Sequence, residues 1–159
     1  YRFHVEDVRW AEWTAEIPDT PLDLSRPFSE IIVPTIDTVR YTFLIDVLFR
    51  SKTHLLCVGK TGTGKTITLA NKLVNQMHGA EVTPVFIIFS ARTSANQVQD
   101  LIDSKVERRR KGIFGPARGR MIIFVDDMNM PQREQFLAQP PIELLRQWMD
   151  HDGWYERKA

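Results

Sequence analysis

Gly59-Lys60-Thr61-Gly62-Thr63-Gly64-Lys65-Thr66 has the spacing of a phosphate-binding loop: a glycine, four free positions, then Gly-Lys and Ser or Thr. The glycines let the backbone curl until several N–H groups point at one anion, and a helix starting at the loop adds the positive end of its dipole. A lysine at position 65 can reach the β- and γ-phosphates of a nucleoside triphosphate. The hydroxyl of Thr66 suits Mg2+, a hard cation that keeps most of its waters and takes one small oxygen ligand from the protein. The whole loop, Lys60, Thr61 and Thr63 included, is therefore the candidate phosphate contact, and a nucleotide with Mg2+ is the expected ligand.

Such a loop has to sit between a strand and a helix. Leu55-Leu56-Cys57-Val58 is a short apolar run that predicts a strand buried on both faces of a parallel sheet. After the loop, Ala70, Leu73, Val74 and Met77 recur at helical spacing, and Gly79 stands where that helix would end. A second constellation lies 61 residues beyond Lys65, where Met121-Ile122-Ile123-Phe124-Val125 runs into Asp126-Asp127. The C-terminal strand ends of a parallel sheet line the ligand crevice, so Asp126 is expected to face the metal and Asp127 to activate water. An acidic turn after a core strand is the alternative reading of a lone Asp-Asp pair.

The remaining elements follow from periodicity and punctuation. Residues 1–30 carry Trp10, Trp13, Pro18, Pro21 and Pro27 among scattered charges, which predicts an extended lead-in arm with the two tryptophans as its anchors. Ile31-Ile32-Val33-Pro34-Thr35 is stopped by proline, and Ile36, Val39, Phe43, Leu44, Val47 and Leu48 form the stripe of a helix of about four turns. Pro84 to Ser90 predicts the next buried strand. Ser94-Ala95-Asn96-Gln97 matches a capping box opening a helix that buries Val98, Leu101, Ile102 and Val106. That helix is expected to end in Arg108-Arg109-Arg110-Lys111, cations suited to a helix C-terminus, followed by a loop from Gly112 to Gly119. Contact with an acidic neighbour is the other reading of the basic run, and nucleic acid lacks an aromatic platform there. Pro140-Pro141 opens a last helix through Leu144, Leu145, Trp148 and Met149, closed near Gly153.

At 159 residues with 43% hydrophobic content the chain has one domain's length and core, and its net charge of +1 gives no push toward nucleic acid or membrane. It shows neither a bilayer-length apolar run nor a signal-peptide pattern, which points to a soluble segment. The single Cys57 suits a reducing compartment, and the histidines at 4, 54, 78 and 151 lack metal-ligand spacing. Alternating strands and helices predict a doubly wound α/β fold. Three sheet strands are readable where about five are usual, so the sequence reads as truncated at its C-terminus.

Together with the loop, three long runs carry a family resemblance: VPTIDTVRYTFL, FSARTSANQVQDLIDSKVERRRKGIFGP and FVDDMNMPQREQFLAQPPIELLRQWMDHDGWYERK. From about Ile31 to Lys158 the chain closely resembles the third AAA+ module of a dynein heavy chain of axonemal type. The resemblance implies a P-loop NTPase three-layer sandwich with a parallel sheet, and residues 31–159 as an incomplete large subdomain. It implies an ATPase module of a six-module ring that moves toward microtubule minus ends and drives ciliary beating. ATP or ADP with Mg2+ is the implied ligand. Adjacent modules, microtubules, and dynein intermediate and light chains are the implied partners, without nucleic acid or membrane. Cytoplasm, cytoskeleton and the ciliary axoneme are the implied location. The family's roles fall on Gly59, Gly62, Gly64, Lys65 and Thr66 for phosphate and Mg2+, and on Asp126 for Mg2+. Val33, Pro34 and Thr35 lie where many such ATPases hold adenine; plain core packing is the alternative.

Asp127 departs from the general AAA+ pattern, which has glutamate there to position the attacking water. One methylene fewer withdraws the carboxylate by roughly 1.5 Å, and misplacement of about 1 Å can cost on the order of 100-fold in rate. Slow hydrolysis with intact binding is expected, so the module is regulatory and also dependent on an arginine from its neighbour. Arg146 lies on a helix of its own module and is not expected to be that finger. A module that holds nucleotide as a structural ligand without turning it over is the alternative. A nucleoside kinase would need a second substrate pocket and a lid that the sequence does not supply.

Overall fold

The computed structural model describes residues 1–18, 27, 31–77 and 82–157, and the chain divides into two compact units, Tyr1–Lys72 and Leu73–Ala159. In the N-terminal unit, where an extended arm is expected over residues 1–30, the first part is a small hairpin, and residues 19–26 and 28–30, Pro21 among them, lie outside the described residues. Strands β1 (Arg2–His4) and β2 (Arg9–Ala11) pair antiparallel with Phe3 opposite Trp10, whose rings lie 5.3 Å apart. A 3-10 turn, Trp13–Glu16, follows. Trp13 is an anchor, edge-on to Phe43 at 5.5 Å, and the Arg2 guanidinium stacks 4.2 Å over the same ring. Trp10 is not, because it packs on Phe3 within the hairpin and stays exposed. Glu16 ties the hairpin to the turn by accepting Arg2 and facing His4 Nε2, each at 2.7 Å.

Helix α1 (Ile36–Arg50) forms as its stripe requires, but it starts with a capping box that sequence reading missed. Thr35 Oγ1 accepts from the Thr38 N–H, and Thr38 Oγ1 accepts from the Thr35 N–H, satisfying two donors that a helix start leaves open. The inward face is also rotated from the expected one. Ile45 is buried and Asp46 turns inward to meet Lys72, whereas Ile36, Leu44 and Val47 are exposed. Helix α2 (Lys65–Asn71) follows the glycine loop and continues as a π-helical turn, Lys72–Gln76. Leu69 and Leu73 are buried; Gly79, the expected end of this helix, lies outside the described residues, as does His78.

The C-terminal unit is built on a parallel pair, β3 (Val82–Ile88) beside β6 (Arg120–Asp126), in register from Val82 opposite Arg120 to Ile88 opposite Asp126. Helices α3 (Ala95–Asp103) and α4 (Pro140–His151) supply Val98, Ile102 and Leu144 to a core shared with Val85, Ile87 and Phe89. Trp148 and Trp154 close it, ring to ring at 5.0 Å and 89°. Alternation puts Phe86 and Ile88 on the opposite, exposed face of β3, so this strand is buried on one side rather than two. The α3 capping box is present as expected, Ser94 Oγ accepting from Gln97 N–H and Gln97 Oε1 from Ser94 N–H. Helix α4 begins at its two prolines and ends in a left-handed cap at Asp152, φ +54°.

The basic run is where expectation and structure part most sharply. Helix α3 stops at Asp103, and Arg108–Arg110 lie instead in β4 (Glu107–Arg110), paired antiparallel with β5 (Ile113–Gly115). Gly112, at φ +73°, makes the tight reversal that a side chain would resist. No helix among the described residues is long and apolar enough to cross a membrane.

Candidate functional site

In the N-terminal unit the glycine loop is curled as its spacing dictates. Gly62 and Gly64 adopt φ of +80° and +76°, in the left-handed region, and Gly64 is the residue that turns the chain into α2. The first turn of α2 closes through Thr68, whose N–H and Oγ1 both donate to Gly64 O, at 2.9 and 2.8 Å. Lys65 folds back over the loop that precedes it. Its Nζ donates to Gly59 O at 2.9 Å, to Lys60 O at 2.6 Å and to Thr63 Oγ1 at 3.3 Å, while Thr63 Oγ1 donates to Lys60 O at 2.9 Å. A positive charge is thus held inside the turn, beside a helix start whose N–H groups also favour an anion. A Cβ on Gly59 would meet Lys65 Cδ and Thr63 Oγ1 at 3.6 Å, ordinary van der Waals contact. The loop therefore fits a phosphate group by charge and by backbone shape.

The run before the loop is not the expected strand. Among the described residues it pairs with no neighbour, and Leu56 and Val58 are 65% and 85% exposed. A strand exists only through its ladder, so without a partner the run forms none and Leu56 and Val58 stay solvated. Cys57 is accordingly exposed rather than buried, although partial desolvation of the sulfur still pushes its thiol up, against the opposing charge of Lys65. Val33 is exposed and Pro34 half-buried; Thr35 spends its hydroxyl on the cap of α1.

Helix α2 is held to α1 by an ion pair that sequence reading did not find. Lys72, nearly buried, places Nζ 2.9 Å from Asp46 Oδ1, and Arg50 Nε lies 2.7 Å from Oδ2. Burial alone would raise the Asp46 carboxyl, but the hydrogen bond and charge of Lys72, then those of Arg50, outweigh it and hold the group below the usual carboxylate range. No motif marks this pair, because it depends on which face of α1 meets α2.

In the C-terminal unit β6 ends at Asp126, half-buried, and Asp127 follows in the left-handed region at φ +51°. Asp126 Oδ1 accepts the Asp127 N–H at 3.0 Å, and Asp127 O accepts the Met130 N–H at 2.9 Å. The carboxylate of Asp127 is exposed. Beyond it, Gln139 Nε2 donates to Asn129 O and Pro131 O, at 3.3 and 2.6 Å, fixing the segment that leaves the aspartate pair. No sequence signal singled out this glutamine. Arg146 pairs on its own helix with Glu143 and Asp150.

A family profile for the P-loop containing dynein motor region matches residues 20–159. Dynein axonemal heavy chain 1 of Mus musculus is 52% identical over 163 aligned residues, 97% of this chain, and that of Homo sapiens is 52% identical over 95% of it. Dynein axonemal heavy chain 12 of Mus musculus is 50% identical over 94% of the chain. The chain spans about 4 to 5% of the length of these relatives. A phosphate-loop sequence in an α/β fold with a parallel sheet, matched along nearly all of its length, places this chain in the dynein motor-region family of P-loop proteins.

Proposed function

We propose that this chain is a nucleotide-binding AAA+ module of an axonemal dynein motor, the third in its ring, with residues 31–159 forming part of its large subdomain. The observation that carries the reading is the Lys65 ammonium folded into the Gly59–Thr66 turn at the start of α2. Lys60, Thr61, Gly62, Thr63 and Gly64 contribute the curl and its N–H groups to the phosphates of ATP or ADP, and Lys65 contributes charge. Thr66 and Asp126 are the residues that would hold Mg2+, which when bound neutralises phosphate charge. Val33, Pro34 and Thr35 are assigned to the adenine. In the motor as a whole the module works with adjacent AAA+ modules, microtubules and the intermediate and light chains, in the cytoskeleton of the ciliary axoneme. No role for nucleic acid or membrane enters.

Within this reading the module regulates rather than drives, because Asp127 positions water from a shorter side chain than the glutamate usual in such sites. Its solvent exposure and left-handed backbone also favour a second reading, nucleotide held without turnover. Equilibrium titration with a fluorescent ATP analogue and Mg2+, run beside Lys65→Ala, tests the site itself. A hydrogen bond to a charged group is worth about 1.5 to 3 kcal/mol, so the variant is expected to bind roughly 10- to 150-fold more weakly. Equal affinity of the two proteins would overturn the assignment.

A further inference from the structure

We propose that the β4–β5 hairpin is a docking element for an acidic protein surface that presents an apolar side chain. Residues 105–120 hold seven of the chain's 21 lysines and arginines and one of its 20 acids, so they carry +6 while the rest of the chain carries −5. The ordinary explanation for such a run, cations at a helix C-terminus, is removed by the fold: α3 ends at Asp103 and the arginines lie on a separate exposed hairpin. Arg109 braces that hairpin, its guanidinium donating to Pro116 O and to Ala117 O. Arg108, Arg110 and Lys111 make no side-chain hydrogen bond or ion pair among the described residues, and all three are exposed. Beside these cations are Ile113 and Phe114, 41% and 52% exposed; as consecutive strand residues they face opposite sides of the ribbon, Phe114 with Arg108 across from it and Ile113 with Arg110.

One exposed aromatic ring, Phe114, beside the unpaired Arg108 on a strongly cationic hairpin matches an acidic partner with one protruding hydrophobe. Strand addition is the poorer fit, since the register shift between Arg108 and Arg110 and the charge along the edge both oppose it. Single-stranded nucleic acid is also poorer, because stacking successive bases needs more than one aromatic ring and Phe114 is alone on the hairpin.

The test titrates the whole chain with three labelled probes: a glutamate-rich peptide with one central leucine, the same peptide with serine in its place, and an oligothymidylate of equal charge. The leucine peptide is expected to bind severalfold more tightly than the serine peptide, and Phe114→Ser is expected to erase that difference. An exposed ion pair is worth roughly 1.5- to 5-fold in affinity, so Arg108→Glu with Arg110→Glu should weaken both peptides on the order of tenfold. Arg108→Gln with Arg110→Gln should give a smaller loss at an unchanged circular-dichroism spectrum, which separates lost contacts from lost fold. Undiminished peptide binding by the charge-reversed chain, or tighter binding of the oligonucleotide than of the leucine peptide, would overturn the proposal.

Discussion

Asp46→Asn tests the clamp that fixes the helix carrying Lys65 and Thr66. The substitution keeps the side chain's size and removes its charge, leaving the Lys72 ammonium, 9% exposed, beside a neutral amide. Removing one partner of a fully buried pair costs about 3 to 5 kcal/mol, and an exposed pair is worth about 0.2 to 1 kcal/mol. The Asp46 side chain is 26% exposed and its amide replacement can still accept from Lys72, so a loss of about 2 kcal/mol is expected. Urea denaturation of both proteins across pH 3 to 8 measures it. The Asp46 carboxyl is held below its ordinary value in the folded chain, so the unfolded chain binds the extra proton first and stability rises with pH. The carboxylate's contribution is complete above the ordinary carboxylate range and is lost as pH falls through the lowered folded value. The gap between the two proteins should therefore be full at pH 7 and shrink in acid. Lys72→Met added to Asp46→Asn should recover part of the loss, since it removes the stranded charge. Equal stability at pH 7, or a gap that widens in acid, would refute the reasoning.

Three further outcomes are expected. Ser94→Ala removes the acceptor for the Gln97 N–H and should destabilise the C-terminal unit by about 1 kcal/mol, read by urea denaturation, with Ser94→Asp close to the parent. Cys57 should react with a disulfide reagent in the folded chain without denaturant, more slowly at neutral pH than a free thiol and faster as pH rises, because desolvation pushes its thiol up; protection until denaturant is added would contradict its exposed position. Asp127→Glu should raise ATP turnover in an intact ring, and unchanged turnover would show that carboxylate reach at residue 127 does not limit hydrolysis.

What was legible in the sequence was what short-range rules settle. The Ser94–Gln97 box spans four residues, and the Pro140-Pro141 start of α4 needs only the missing N–H and fixed φ of proline. Strands β3 and β6 were legible because each is a long apolar run with turn residues at its ends. The basic run is ambiguous in sequence because one rule fits two structures: cations before a glycine suit a helix terminus and a hairpin turn alike, and only the stop at Asp103 separates them. Hydrophobicity alone does not set the inward face of α1, because Asp46 turns inward to satisfy Lys72 from another element.

The same distinction explains the state of the candidate site. The loop's curl is closed by bonds that reach no further than from Lys65 to Gly59, and by glycines whose left-handed φ needs no outside support. It therefore forms beside Leu55–Val58 even though that run, which depends on a ladder from elsewhere in the chain, pairs with nothing among the described residues. The loop's shape is thus set within eight consecutive residues, whereas a strand at Leu55–Val58 would need a partner from elsewhere. Substitutions inside the loop should act on nucleotide affinity directly, whereas the exposure of Leu56 and Val58 ties the loop's rigidity to whatever supplies that ladder.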